Sequence, residues 1–273
     1  MKTLIYQYWD GKLLPGHHAV MKIMGEYAER IGSEYLFEDN PKWVTNLGNY
    51  SPHYGAFKPV IDSKFDEYDY IMVADVDLFP VDGLTESVFD VFALTGAHVG
   101  LCEETHQPEI RYKQIDVAGI SGRNEELWSK MVKEVYGTDL PRDKENRLRV
   151  FNSGMVVWSR EGREVAKKNF PRFSKYITEC RAHGLPTFYQ GDQNYLLAVL
   201  DKTKLNWEIM DSSWNSFMHY LGRGNNRPVN DMRTEDTKFV HIQLSAADHY
   251  DEETLYKIVN GPVEEWYGKL PKI

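Results

Sequence analysis

The first forty residues constrain the fold most, because a strand pattern, a helix pattern and a second strand pattern follow one another with only short breaks. TLIYQYW at 3–9 runs β-branched and aromatic residues into a turn at Asp10-Gly11. HHAVMKIMGEYAERIG at 17–32 places Val20, Ile23, Met24 and Tyr27 at helical spacing and ends on Gly32, and SEYLFED at 33–39 reads as the second strand. Two strands joined through a helix run parallel, since the crossover returns the chain to the end of the sheet where it started. The expectation is an α/β fold, a mostly parallel central sheet flanked by helices.

Later segments extend the pattern. DYIMVADVDLFP at 69–80 is expected as a strand, and its core IMVA is continuously apolar, as a strand covered on both faces must be. HVGLCEE at 98–104, RVFNSGMVVWS at 149–159, NWEIM at 206–210 and TKFVHIQL at 237–244 supply further strands. Helices are expected after Pro59 within 56–68, over 124–136, over 160–184 with a break at Pro171, and within 189–202, where Asp192 stands near the start. SSWNSFMHYLGRGNNRPVND, rich in Gly, Asn and Arg, reads as a long loop. No repeat or low-complexity linker divides the 273 residues, so one domain over 1–273 is expected.

Charge narrows the function. Thirty-two basic against 41 acidic residues give −9, the wrong sign for tracking nucleic-acid phosphates or an anionic bilayer. Cys102 and Cys180 are too few for a disulfide framework and lie at no zinc-ligand spacing. The leading apolar run is broken at Gln7 and Asp10, and no segment reaches the roughly twenty apolar residues that span a bilayer. A cytoplasmic protein with no membrane span and no nucleic-acid partner is expected.

The chemistry gathers at the end of the 69–80 strand. In open α/β sheets ligands sit beyond the carboxyl ends of strands, and there Asp75 and Asp77 flank one apolar residue. Two carboxylates so placed suit a hard divalent cation that also binds substrate phosphates; the plain alternative is a solvated turn. Tyr6 and Tyr8 either edge a nucleotide base or pack within the sheet. Asn152 and Ser153 precede Gly154 and either meet sugar hydroxyls or satisfy a bulge, while Asp192 is either a ligand or a helix N-cap. His241 is either a metal ligand or a core histidine, and the other histidines, His17 and His18 among them, read as structural.

Four ordered motifs resemble the GT-A fold glycosyltransferases, particularly the family 8 group containing glycogenin and bacterial galactosyltransferases. YDYIMVADVDLFP is similar to that family's Asp-x-Asp strand, FNSGMVVWS to its Phe-Asn-Ser-Gly strand, GDQNYLL to its Asp-Gln helix entry, and KFVHIQL to the late strand whose histidine completes a metal site. The resemblance covers roughly residues 3–244. It implies a single GT-A (Rossmann-like) domain, nucleotide-binding over about 1–100 and acceptor- and sugar-binding over about 101–273. It implies transfer of a hexose from a nucleoside-diphosphate sugar, UDP-sugar in the first instance, to a hydroxyl of a glycan or similar acceptor, with retention and with Mn²⁺ or Mg²⁺ as cofactor.

Residue by residue, the resemblance makes Asp77 and His241 metal ligands and Asp75 a metal or ribose contact. Tyr6, Tyr8, Lys58 and Val76 join the donor site, Asn152, Ser153 and Asp192 face the sugar, and Asp192 with Gln193 stands at the reacting carbon. One departure matters: the family continues from the histidine to a glycine and a phosphate-gripping lysine, whereas this chain reads HIQLSAADHY. Lys58, Arg223 or Arg227 would then supply the cation. Competing readings are an inverting transferase with Asp192, Glu103 or Asp248 as base, a metal-dependent nucleotidyltransferase or phosphohydrolase, and a sugar-binding domain without turnover.

Overall fold

The computed structural model describes residues 1–113, 119–220, 229–244 and 247–262. The chain opens as expected: β1 (Thr3–Trp9), α1 (Pro15–Arg30) and β2 (Glu34–Asp39), with Pro15 in the first turn of α1, where a missing N–H costs nothing. A run of 3₁₀ turns leads to α2 (Lys58–Ile61), only four residues long. The longer helix expected over 56–68 does not form: Asp62 turns extended and its carboxylate caps the next 3₁₀ turn at Lys64 N (3.0 Å).

β3 (Tyr70–Ala74) is followed after three residues by β4 (Leu78–Pro80), so the stretch 69–80 is two strands and not one. Next come α3 (Val88–Ala93), β5 (Val99–Glu103), α4 (Gln107–Lys113), α5 (Gly122–Tyr136), β6 (Phe151–Ser159) and α6 (Arg160–Asn169). α7 (Phe173–Ala182) starts past Pro171, and α8 (Asp192–Leu200) is buried from Asn194 to Leu200, with no solvent-facing stripe. β7 (Trp207–Met210), β8 (Ser216–Tyr220), β9 (Val229–Asp231), β10 (Phe239–Gln243) and α9 (Glu252–Asn260) complete the described elements.

Six strands form the main sheet in the order β2-β1-β3-β6-β5-β7, with β6 alone antiparallel to the others. The second sheet, β4-β10-β8-β9, contains two strands where a loop is expected from sequence: Ser216 to His219 pairs with β10, and Met218 to Tyr220 with β9. Arg223, Arg227 and most of that Gly-Asn segment lie outside the described residues. Ile71, Met72, Val73 and Ala74 are all buried because helices cover both faces of β3. Val76 joins instead the apolar cluster between the second sheet, α1 and α9. Asp75 to Asp77 is thus the joint at which the chain leaves one sheet for the other. Among the described residues no helix is long and apolar enough to cross a membrane.

Candidate metal centre

The joint is held from both sides. Asp75 N–H donates to Gly154 O (2.8 Å) on β6, and Gln7, fully buried on β1, donates its amide to Asp75 O (2.7 Å). Across the second sheet Ile242 N–H donates to Asp77 O (2.9 Å). These bonds aim the Asp75 and Asp77 carboxylates at His241, which stands on β10. One donor atom from each of the three lies within 4.8 Å of the others. Asp77 Oδ1 is buried without a well-formed hydrogen bond, its near partner being His241 Nε2 at 3.0 Å.

A chain of hydrogen bonds fixes which nitrogen of His241 faces the carboxylates. Gly154 N–H donates to Asn152 Oδ1 (2.7 Å), so that oxygen is an acceptor. Asn215 Nδ2 donates to the same oxygen (3.1 Å), which leaves Asn215 Oδ1 to accept from His241 Nδ1–H (3.0 Å). Asn152 Nδ2 in turn donates to Glu104 (2.9 Å). The proton is thereby kept on Nδ1, and Nε2 offers its lone pair to the cluster, the arrangement that orients imidazole ligands in metal sites. Burial opposes a charge on His241, but Asp77 and Asp75 outweigh it and hold the ring at about 9. A proton on Nε2 thus occupies the position a cation would take. Burial and then the Asp77 charge push the Asp75 carboxyl up to about 7, although its side chain is open to the cleft. Two carboxylate oxygens, one of them the orphaned Asp77 Oδ1, and an imidazole nitrogen fit a divalent cation.

Gly154 is where the backbone must come close. A Cβ there would lie 2.3 Å from His241 Cε1 and 2.9 Å from Asp75 Oδ2, so any side chain would enter the cluster.

The carboxylates open into a cleft of about 400 Å³ lined by Tyr8, Trp9, Asp10, His53, Asp75, Val76, Asp77 and Asp248. Of the other expected donor residues, Tyr8 is on this wall, its hydroxyl donating to Pro52 O (2.8 Å). Tyr6 is fully buried beneath it and donates to Glu38 (2.7 Å). Lys58 is paired with Glu38 at 2.6 Å; burial disfavours that carboxylate, yet Lys58, Lys64 and Tyr6 hold it below its usual range. Lys58 is therefore already neutralised.

Asp192 is the first residue of α8, with Gly191 in the N-cap position. It lies 3.9 Å from His53 Nδ1, and burial pushes its carboxyl up against the opposing pull of His53 and Ser153. Gln193 Oε1 accepts from Ser153 N–H (3.4 Å). Asn152 is 4% exposed with both amide atoms engaged inside the protein, so it backs the metal cluster instead of lining the cleft. Glu103 is bridged by Arg149, whereas Asp248 lines the cleft.

Sequence reading missed Gln7, Asn215 and Glu104, and gave His17 no role beside the site. His17 is fully buried against Trp9 (ring centroids 4.4 Å), with Nε2 3.6 Å from Asp248. Asn215 had no periodic signal, since Asn215-Ser216-Phe217-Met218 does not alternate; Gln7 had a faint one, a lone amide inside an apolar strand.

No protein-family model matches the chain, and no curated protein matches its sequence. Solved structures do. A glycosyltransferase involved in glycosylation of the major capsid of PBCV-1 is 11% identical, with 90% of this chain and 95% of that one covered at a TM-score of 0.49. Mouse xyloside xylosyltransferase 1 is 14% identical, with 88% and 96% covered at 0.47. The galactosyltransferase LgtC, in complex with donor and acceptor sugar analogs, is 12% identical, with 96% and 98% covered at 0.46.

Proposed function

We propose that the chain is a metal-dependent glycosyltransferase moving a hexose from a nucleoside-diphosphate sugar, UDP-sugar in the first instance, to a hydroxyl of a glycan or similar acceptor. The observation that carries this reading is the oriented Asp75, Asp77 and His241 cluster at the floor of an open cleft. A divalent cation held there would set positive charge against the diphosphate that leaves. Tyr8 and Trp9 offer aromatic faces for the donor. Asp192, 3.9 Å from His53 of the cleft lining, and Gln193 beside it at the start of α8 would hold sugar hydroxyls, and Ser153 bonds both.

Holding donor and acceptor in register supplies much of the rate in such a transfer. Retention needs no strong base and is the reading adopted. The inverting alternative has its own support in Asp248, which faces the cleft and whose carboxyl burial pushes up; Glu103 is bound to Arg149. The anomeric configuration of the product, read by NMR, separates the two.

Calorimetry with UDP and Mn²⁺ tests the central claim. Asp77→Ala is expected to abolish metal-dependent UDP binding, and unchanged affinity would remove the proposal. Release of pyrophosphate instead of nucleoside diphosphate would turn it towards nucleotidyl transfer.

A further inference from the structure

A second cavity, about 570 Å³, is lined by residues 43–47, by Ile61 and by the segment from α6 to the start of α7. That volume is within the range of small-molecule sites. Its aromatic surface comes from Trp43, Phe170 and Phe173, backed by the fully buried Tyr195, with the half-buried Trp43 ring set edge-on to Phe173 at 6.1 Å. Thr45, Asn46 and Ser174 put hydroxyl and amide groups among these rings.

Charge sets this cavity apart from the cleft. The cleft is lined by four aspartates and no lysine or arginine; the cavity is lined by Lys167 and Arg172 and no carboxylate. In a chain of net charge −9 that is a local reversal of sign. Lys167 is paired with Asp66, but among the described residues Arg172, exposed at the start of α7, has no ion pair.

The cavity is also tied to the cleft by two routes. Tyr195 stands one turn along α8 from Asp192, about 4.5 Å of helix rise. Trp43 follows Asn40 and Lys42, both at positive φ (49° and 42°), and this loop is pinned to the cleft by Lys42 N–H donating to Asp10 (2.9 Å) and Asn40 donating to Gly11 O (3.1 Å). Non-glycine residues persist in that conformation only where surrounding bonds impose it.

From the aromatic faces, the polar rim and the unpaired guanidinium, we infer that this cavity is a distal subsite for an acidic sugar, the non-reacting end of the acceptor glycan. A sugar ring has an apolar C–H face to lie on Trp43 and a rim of hydroxyls for Thr45, Asn46 and Ser174, and its carboxylate meets Arg172. Binding energy from this remote unit would position the reacting hydroxyl near Asp192. The inference rests on the transferase reading for its role and on the cavity alone for its ligand.

Saturation-transfer NMR on metal-free protein, with glucuronate, glucose and decanoate as probes, tests the ligand. Glucuronate is expected to receive saturation more strongly than glucose, and Trp43→Ala and Arg172→Gln each to weaken its binding about fivefold or more. Asp77→Asn should leave it unchanged. No transfer to glucuronate, transfer to decanoate alone, or indifference to both cavity variants would overturn the subsite; equal binding of glucose and glucuronate, unaltered by Arg172→Gln, would overturn its acidic specificity. Calorimetry with UDP and Mn²⁺ on the same preparations reads the cleft separately. Lost UDP binding with retained glucuronate binding sinks the transferase reading and upholds the subsite's ligand, and the reverse sinks the subsite alone.

Discussion

Two buried histidines both feel the Asp77 charge and are prepared for opposite tasks by what stands behind them. On β10, His241 Nδ1–H donates to Asn215 Oδ1, so Nε2 is the nitrogen turned to the cluster, free to give its lone pair to a cation that displaces its proton. On α1, His17 Nδ1 accepts from Leu14 N–H (3.0 Å), so Nε2 carries the proton and points towards Asp248 as a donor. Burial lowers the His17 pKa, against the pull of Asp248 and Asp77, which keeps that ring neutral. A backbone amide decides each case: Gly154 N–H through two asparagines for one, Leu14 N–H directly for the other. The difference teaches that a histidine's role at a metal site is read from its far nitrogen.

The comparison can be broken most severely at its near side. His241→Ala is expected to lower Mn²⁺ affinity by more than about 100-fold in calorimetry, since it removes a ligand where loss of an outer partner alone costs about 10–100-fold. Asn215→Leu keeps the ligand and removes its backing; the same titration should show a loss of about 10–100-fold, and an unaltered affinity would show that the far nitrogen does not matter here. Gly154→Ala drives a methyl group into His241, and we expect about 1–3 kcal/mol of destabilisation by denaturant unfolding together with weakened Mn²⁺ binding.

His17→Leu sharpens the contrast from the other side. Mn²⁺ affinity should stay within about twofold, because a proton-bearing Nε2 is no ligand, while stability falls by about 1 kcal/mol as the Leu14 N–H loses its acceptor. A large loss of Mn²⁺ binding would reassign His17 as a ligand.

The smallest effect concerns a third imidazole, His106, whose Nε2 lies 3.3 Å from Gln107 Nε2 while its Nδ1 has no hydrogen bond among the described residues. His106 stacks on His219 at 4.5 Å, and among the described residues neither nitrogen of His219 has a hydrogen bond. Burial, then His219 and Arg111, lower His106 to about 4. Its unfolded value is higher, so the unfolded chain binds the extra proton first, and the stabilisation, present above about 6.5, is lost as pH falls towards 4. His106→Phe should flatten the fall of Tm across that window; a parallel fall in both proteins would clear His106 of the effect.

Much of the main sheet was legible because its signals are local. β1, α1 and β2 carry periodicity and a terminating glycine, and IMVA declares a strand covered on both faces. The second sheet was not legible. SFMHY breaks alternation at the adjacent Phe217 and Met218 and runs straight into Leu-Gly-Arg-Gly-Asn-Asn, whose turn chemistry dominates; β8 becomes a strand because β10 lies beside it. The ligand trio could be found from spacing and motif order, but the buttress could not. Asn152 looks like a sugar contact until its amide is seen to be consumed by Gly154 nearby and by Asn215 and Glu104, two partners far off in sequence.

The joint at Asp75 to Asp77 also has a temporal meaning. Its third member arrives 166 residues later, at position 241, on a strand whose sheet includes β4, the segment that leaves the joint. Loop closure over so long a separation comes late, once the intervening helices and strands have reduced the search. A growing chain therefore emerges with its aspartates exposed and unable to grip a cation tightly. On the proposed metal role, competence for the ion would arrive with the docking of β10, so tight Mn²⁺ uptake during refolding would time the last assembly step and not the first.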